Sequence, residues 1–470
     1  MRMRTSSRLL ILFAALLIAT SVASAQSLHL PAHEKVVLKN GLTVLLLQKQ
    51  GVPLVNFYGI VKTGAAADPS NEAGLASITA GLLRKGTKTR SPEKFAADLD
   101  FIGGEFDADA GSDFTAISGQ CLTKDVDRGL DLFSDAVLHA TFPQEEVDKL
   151  LTQSLDGVRS SKDDPQSVLA DYYLGYLFGM HPYGRPNGGD EVTLKKITHD
   201  AIVKFYAANY TPKNTILAVA GQFDSAEMKK KLEAAFGGWP GDAAPAIQIP
   251  AEKEIAGKRV LLVDKPDATQ TYFAMGNIGT TATDPDRVAI RVVNTVFGGR
   301  FTSLLNEALR VESGYSYGAQ SQFVNRRMPG AFLIASFTKN ATTVPAIDLA
   351  IKVLDDLHKN GITQQQLDSA KSYIKGQFPP RIETGGQLAR QIATDEYYGL
   401  GDDEINELAA RIDAVTVETA NRVIAKHFPT DSLVFVLIGK ASEIGPQVKK
   451  YATQQDSRKI SDPGFWPAPK

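Results

Sequence analysis

Apolar residues recur along the chain with two periods. Positions 42–47 and 55–61 are dense in aliphatic and β-branched side chains, the composition of strands. Positions 114–122 alternate apolar with polar or small residues, the period of a half-buried strand. Positions 215–220 return to an apolar run. Between these clusters apolar residues are spaced by three and four. That spacing predicts helices over 72–83, 92–102, 125–138, 144–159, 166–178, 200–208 and 225–236. Leu130, Leu132, Phe133, Val137 and Leu138 form one such stripe. Strands come in clusters with runs of helix between them. This order predicts an α+β fold, with helices packed on a mostly antiparallel sheet.

The pattern occurs twice. Val44-Leu45-Leu46-Leu47-Gln48-Lys49 resembles Val260-Leu261-Leu262-Val263-Asp264-Lys265, an offset of 216. The register holds without a gap through Phe57 and Phe273 to Asp68-Pro69 and Asp284-Pro285. The ends match more loosely, Pro212 with Ala218–Gly221 against Pro429 with Phe435–Gly439. A period this long fits a duplicated domain and not a solenoid. Gly and Pro crowd the stretch from Gly237 to Pro250, which breaks helix and strand and predicts a linker. The expected organisation is residues 26–236 as an N-terminal domain, 237–256 as linker, 257–460 as a homologous C-terminal domain and 461–470 as a tail.

Composition narrows the function. The 470 residues carry 51 Lys+Arg against 53 Asp+Glu, for a formal net charge of −2. That balance offers no polycation for nucleic acid and no basic face for anionic lipid. The single Cys121 excludes an intrachain disulfide and a cysteine-based zinc or iron–sulfur site. Seven histidines leave a His-ligated metal open. Residues 1–25 have a basic start, a short apolar run over 9–19 and an Ala23-Ser24-Ala25 ending, the make-up of a secretory signal peptide. The run is shorter than the roughly 20 residues a bilayer needs. The expectation is cleavage after Ala25, no membrane span afterwards and a periplasmic or secreted protein.

Several motifs together resemble a known family. They are Asn40-Gly41-Leu42, Lys85-Gly86-Thr87, His181-Pro182-Tyr183-Gly184-Arg185, Phe205-Tyr206 with Asn209-Tyr210-Thr211-Pro212-Lys213-Asn214, and Val219-Ala220-Gly221. In the second half Leu309-Arg310-Val311-Glu312-Ser313-Gly314-Tyr315-Ser316-Tyr317 joins them. The set resembles the zinc metallopeptidases of the pitrilysin/insulinase type, which include mitochondrial processing peptidases and bacterial relatives. The resemblance covers nearly all of the chain after the leader. It implies two homologous α+β domains forming half of a clam-shell chamber.

The family's catalytic motif is H-x-x-E-H on a helix. Two His four apart ligate Zn²⁺, and the Glu is the base for the metal-bound water. Aligned between Gly74-Leu75-Ala76 and Lys85-Gly86-Thr87, the motif falls on Ser77-Ile78-Thr79-Ala80-Gly81. Ser77 and Gly81 replace the imidazoles and Ala80 replaces the base. The distal ligand falls near 156–158, where Asp156 is the one acidic residue. Neither H-x-x-E-H nor H-E-x-x-H occurs elsewhere. The chain is expected to hold no metal and to be inactive alone, with zinc in a partner subunit.

The Arg and Tyr seven apart that the resemblance places opposite the zinc are Arg310 and Tyr317. A guanidinium holds a carbonyl or carboxylate in its planar fork. A phenol donates to the oxyanion that develops on the scissile carbonyl. Other signals are weaker. Gly314-Tyr315-Ser316-Tyr317-Gly318 satisfies G-x-S-x-G, but a nucleophile elbow needs a strand before the Ser and a helix after it. Here 302–311 reads as helix, and 320–324 and 330–336 read as extended. Gly298-Gly299-Arg300 lacks the spacing of a phosphate loop and reads as a flexible loop. Residues 105–110 read as an edge strand guarded by Glu105, Asp107 and Asp109. His181 sits in a turn and reads as a cap.

The expectation is an exported, zinc-less subunit of a heterodimeric zinc metallopeptidase. A homologous zinc-bearing chain and a peptide substrate are its expected partners. The alternative is a non-catalytic peptide-binding or scaffold protein of the same fold. A self-sufficient hydrolase using Ser316 is the third reading.

Overall fold

A computed structural model describes residues 29–245, 247–250, 252 and 255–465. The expected leader, 1–25, lies outside the described residues. Among the described residues twelve strands form two six-stranded sheets. The first contains β1 (Glu34–Val37), β2 (Thr43–Gln48), β3 (Leu54–Val61), β4 (Glu105–Ala110), β5 (Thr115–Leu122) and β6 (Thr215–Gly221), in the order β1-β2-β6-β3-β5-β4. The second contains β7 (Arg259–Asp264), β8 (Gln270–Ile278), β9 (Ala319–Val324), β10 (Ala331–Lys339), β11 (Val434–Gly439) and β12 (Gln454–Lys459), in the order β12-β7-β11-β8-β10-β9.

The internal repeat is structural. β2 and β7 keep the 216-residue offset at both ends, and β3 and β8 keep it at their starts. Five strands of each sheet therefore correspond one to one. The sixth does not. β1 comes first in the chain and runs antiparallel to β2, whereas β12 comes last and runs parallel to β7. Pairing is antiparallel except at β2–β6, β7–β11 and β7–β12, which agrees with the expected mostly antiparallel sheets.

Five helices position the features below: α1 (Leu75–Gly81), α2 (Gln144–Ser161), α3 (Pro165–Phe178), α4 (Arg287–Phe297) and α5 (Gly385–Tyr398). α3 and α5 are exchanged between the halves. α3 opens on Asp164, whose side chain accepts from Gln166 N, with Pro165 at the first position. It lays Val168, Tyr172, Tyr173 and Leu177 on Leu261, Val263, Ala274 and Val436 of the C-terminal sheet. α5 opens on a capping box of Thr384 and Gln387 and ends at Gly399, with φ of 69°. It lays Leu388, Ala389, Ile392 and Ala393 on Leu45, Leu47, Ala218 and Ala220 of the N-terminal sheet. Gly385 permits that contact, since a Cβ there would lie 2.6 Å from Asn56 Nδ2. Each fully buried aliphatic or aromatic side chain in these layers contributes about 1.5–3 kcal/mol.

The exchange changes the expected division of the chain. Residues 26–236 and 257–460 delimit the two sheets, but each sheet is covered by a helix of the other segment. Residues 461–465 of the expected tail are also part of the fold. Phe465 is buried against Tyr172, with ring centroids 5.2 Å apart. The Lys162–Glu191 ion pair, 2.6 Å long, is buried beneath it. Lys162 donates to Asp462 O, and Glu191 accepts from Gly464 N.

Candidate functional site

α1 carries the positions where the zinc motif would lie. Its start is held by Asp68, whose carboxylate accepts from Gly74 N at 2.9 Å and Ala76 N at 3.0 Å. Gly74 has φ of 100°, a left-handed conformation that suits glycine. Burial pushes the Asp68 carboxyl up to about 8, against the pull of those N–H donors and the Arg185 charge. Ser77 Oγ donates to Asn187 O at 2.8 Å. Ala80 is 1% exposed. Gly81 faces Leu150 of α2, and a Cβ there would lie 3.1 Å from Leu150 Cδ2. Asp156, the candidate for the distal ligand, is exposed and pairs with Arg159 at 3.1 Å. The face that would present two imidazoles and a carboxylate is instead packed and hydrogen-bonded. The residues present do not fit a zinc ion.

β4 runs beside α1 and is an edge strand, paired with β5 alone. Glu105, Asp107 and Asp109 project to solvent while Phe106 and Ala110 are buried. The alternation is that of a charged edge resisting unspecific pairing.

Arg310 lies on a π-helical segment, Glu307–Glu312, that continues the short helix Leu304–Asn306. The sequence reading of a helix over 302–311 captures the location but not this wider turn. The Arg310 guanidinium lies over the Phe301 ring at 4.3 Å. No carboxylate pairs with it among the described residues. Tyr317 is 81% exposed and Phe301 68%. Tyr317 therefore stands in the open, while Arg310 is half-buried against the Phe301 ring. No zinc-site residue of this chain's own stands in for what they would face.

Ser316 is not a nucleophile. Its Oγ donates to Gly318 O at 2.8 Å and accepts from Gly318 N and Ser336 Oγ. Among the described residues no histidine or carboxylate hydrogen-bonds to it, and the strand that its motif demands is replaced by the π-helix. Gly298 and Gly299 both donate their N–H groups to Asn294 O of α4, which removes them from any phosphate. Gly298 O accepts from Ser321 N, and a Cβ on Gly298 would lie 2.3 Å from Ser321 Oγ. The expected flexible loop is a bonded turn that covers the edge of β9. His181 caps as expected: Nδ1 accepts from Tyr183 N, and Nε2 lies 3.0 Å from Pro250 O.

Sequence reasoning missed a hub that joins the halves. Asp113, buried in the β4–β5 turn, accepts from Tyr183 Oη at 2.6 Å, Arg327 N at 2.7 Å and Tyr398 Oη at 3.2 Å. Its carbonyl accepts from Tyr397 Oη at 3.1 Å. Burial first, and the hydrogen bond to Asp113 second, hold the Tyr183 phenol well above its ordinary range. The His-Pro-Tyr-Gly-Arg motif supplied Tyr183 as a signal. Nothing local marked Asp113 or the tyrosine pair. Asp284, Asp286 and His427 also converge. There Asp286 already pairs with Arg422 at 2.6 Å, Lys426 at 3.0 Å and His427 at 3.1 Å, so cations occupy the place of a metal.

The fold and these motifs define a duplicated, peptidase-like α+β chain with a degenerate metal helix. Residues 43–191 match the family model described as insulinase (peptidase family M16), and residues 196–374 match the peptidase M16 inactive domain. The chain belongs to this insulinase-like family and lacks its zinc motif. An uncharacterized zinc protease of Streptomyces coelicolor is 24% identical over 420 residues, covering 86% of this chain and 90% of its own length. An uncharacterized zinc protease of Mycobacterium leprae is 27% identical over 390 residues, covering 82% and 87%. The crystal structure of a peptidase M16 inactive domain from Pseudomonas fluorescens has the same fold. It superposes with a TM-score of 0.82 at 24% identity, over 87% of this chain and 98% of that one. A protease from Helicobacter pylori superposes with a TM-score of 0.81 at 22% identity, over 87% and 100%.

Proposed function

We propose that this chain is the zinc-less subunit of an exported heterodimeric metallopeptidase. One observation carries the reading: the metal positions Ser77, Ala80 and Gly81 are spent on packing, while Tyr317 is exposed and the half-buried Arg310 has no ion pair among the described residues. A homologous chain with an intact H-x-x-E-H supplies zinc and its Glu base. This chain encloses the peptide and contributes the Arg310 guanidinium to a substrate carbonyl. The Tyr317 hydroxyl donates to the oxyanion as the partner's water attacks. The leader-like start supports export to the periplasm or medium. Among the described residues no helix is long and apolar enough to cross a membrane.

The test is reconstitution. The two chains are purified separately, mixed, and assayed with a fluorogenic peptide library while their mass is followed by light scattering. A 1:1 complex that cleaves peptides, with this chain silent alone, is the expected result. Peptide binding by this chain without complex formation supports the alternative, a peptide-binding scaffold, which the unpaired edge of β4 favours. Zinc near one equivalent and hydrolysis by this chain alone contradict both.

A further inference from the structure

A cavity of about 610 Å³ lies on the C-terminal sheet, beneath Tyr317. That is within the ~300–1,000 Å³ typical of ligand pockets. Its floor is Tyr272 of β8 stacked on Phe337 of β10, with centroids 5.5 Å apart. Leu169 and Ala170 of α3 form one wall, and Arg300 and Tyr317 form the other. No carboxylate lines it among the described residues. Arg300 is its one charged group. That guanidinium is held by Ser369 Oγ at 3.0 Å and by the Tyr373 ring at 5.8 Å, with no ion pair. Its buried Nε has no hydrogen-bond partner.

The aromatic floor is not something the fold demands. The duplicated half places polar residues at the two positions that correspond to this floor, although Tyr58 lies on the same face beside them. Tyr272 and Phe337 face each other across β8–β10, and Asn56 and Gln120 face each other at the corresponding place on β3–β5. Ala335 faces Gln320, where Ser118 faces Asp107. One fold therefore carries different chemistry at these corresponding pairs.

We propose that this cavity is a specificity pocket for the peptide, taking an aromatic side chain against Tyr272 and Phe337 and rejecting Lys and Arg. Aromatic rings stack on the floor and leave water with a large apolar area. An unpaired guanidinium at the wall repels a basic side chain and attracts a neighbouring carboxylate. The inference takes from the proposed function only that the ligand is a peptide.

The test uses this chain alone and three fluorescein-labelled Gly/Ser decapeptides with a central Phe, Ala or Lys. Anisotropy titration should show Phe binding at least about tenfold tighter than Ala, as burial of one large apolar side chain implies, with Lys weakest. Ala170→Trp is at an exposed wall position and should fill the cavity, bringing the Phe peptide to the Ala level. Gln320→Trp should do the same from the opposite wall, so that one misfolded variant does not decide the matter. Equal binding of the three peptides, or Phe selectivity untouched by both variants, overturns the pocket. If aromatic selectivity holds but the zinc chain is not complemented, the pocket survives and the subunit reading fails. If the complex cleaves Phe and Lys peptides with equal kcat/KM, the subunit reading survives and the pocket fails.

Discussion

The two sheets share the order of five strands but protect the edge formed by β4 and β9 differently. β4 ends the N-terminal sheet with Glu105, Asp107 and Asp109 turned outward. β9 ends the C-terminal sheet with no charge in Ala-Gln-Ser-Gln-Phe-Val. Instead it is covered: Ala319 N donates to Asn306 Oδ1, Ser321 N to Gly298 O, and Asn294 Nδ2 to Ser321 O. Charge and cover are alternative answers to the same problem of unpaired backbone groups. A charged edge still has its ladder free for a peptide. A covered edge does not, but its neighbouring face is free to become aromatic. The difference teaches that duplication preserved the scaffold while the two halves took separate roles.

That comparison treats the halves as distinct, and the exchanged helices put it under the hardest test. Without α3, the C-terminal sheet exposes Leu261, Ala274 and Val436; without α5, the N-terminal sheet exposes Leu47 and Ala218. Residues 29–236 and 257–465 expressed separately should each fail to fold, with no cooperative melt by circular dichroism. Co-expressed, they should recover it. A separately folded half would break the account of the exchange.

A smaller effect is expected at the strap joining the chain end to the first half. Lys162→Met strands Glu191, whose side chain is 10% exposed, and should cost about 3–5 kcal/mol in urea unfolding. Lys162→Met with Glu191→Leu should recover most of that. If the single variant unfolds like the parent, the strap does not hold the halves.

The smallest effect per step is a pH slope at α1. The Asp68 carboxyl is raised to about 8 by burial, so the folded state holds a proton that the unfolded chain releases near pH 4. Stability contributed by this group is complete below about pH 4. It declines as pH rises toward 8, by less than about tenfold in the folding constant per pH unit. Asp68→Asn should flatten that part of the curve. An unchanged slope would show that the carboxylate is ionised against Gly74 and Ala76.

What the sequence revealed follows from what local pattern can report. Central strands and amphipathic helices were legible within a few residues, and 225–236 agrees at both ends. The duplication and the loss of the metal motif were legible because spacing survives divergence. β12 was not, since five of its six residues are exposed and carry no apolar alternation. Phe465 read as tail because burial by a distant helix leaves no periodic mark. The exchange of α3 and α5, the Asp113 hub and the aromatic cavity are all long-range. Apolar pattern tells that Tyr172 and Tyr173 are buried, not which sheet buries them.

The central claim is that Arg310 and Tyr317 act in another chain's site. It is tested most directly by kcat of the reconstituted complex with Tyr317→Phe and Arg310→Ala. Loss of an oxyanion donor predicts a fall of about 10²–10³ in kcat for Tyr317→Phe, with complex mass and zinc content unchanged. Arg310→Ala should lower kcat/KM through weaker substrate hold. Parental turnover by both variants within an intact complex would contradict the account.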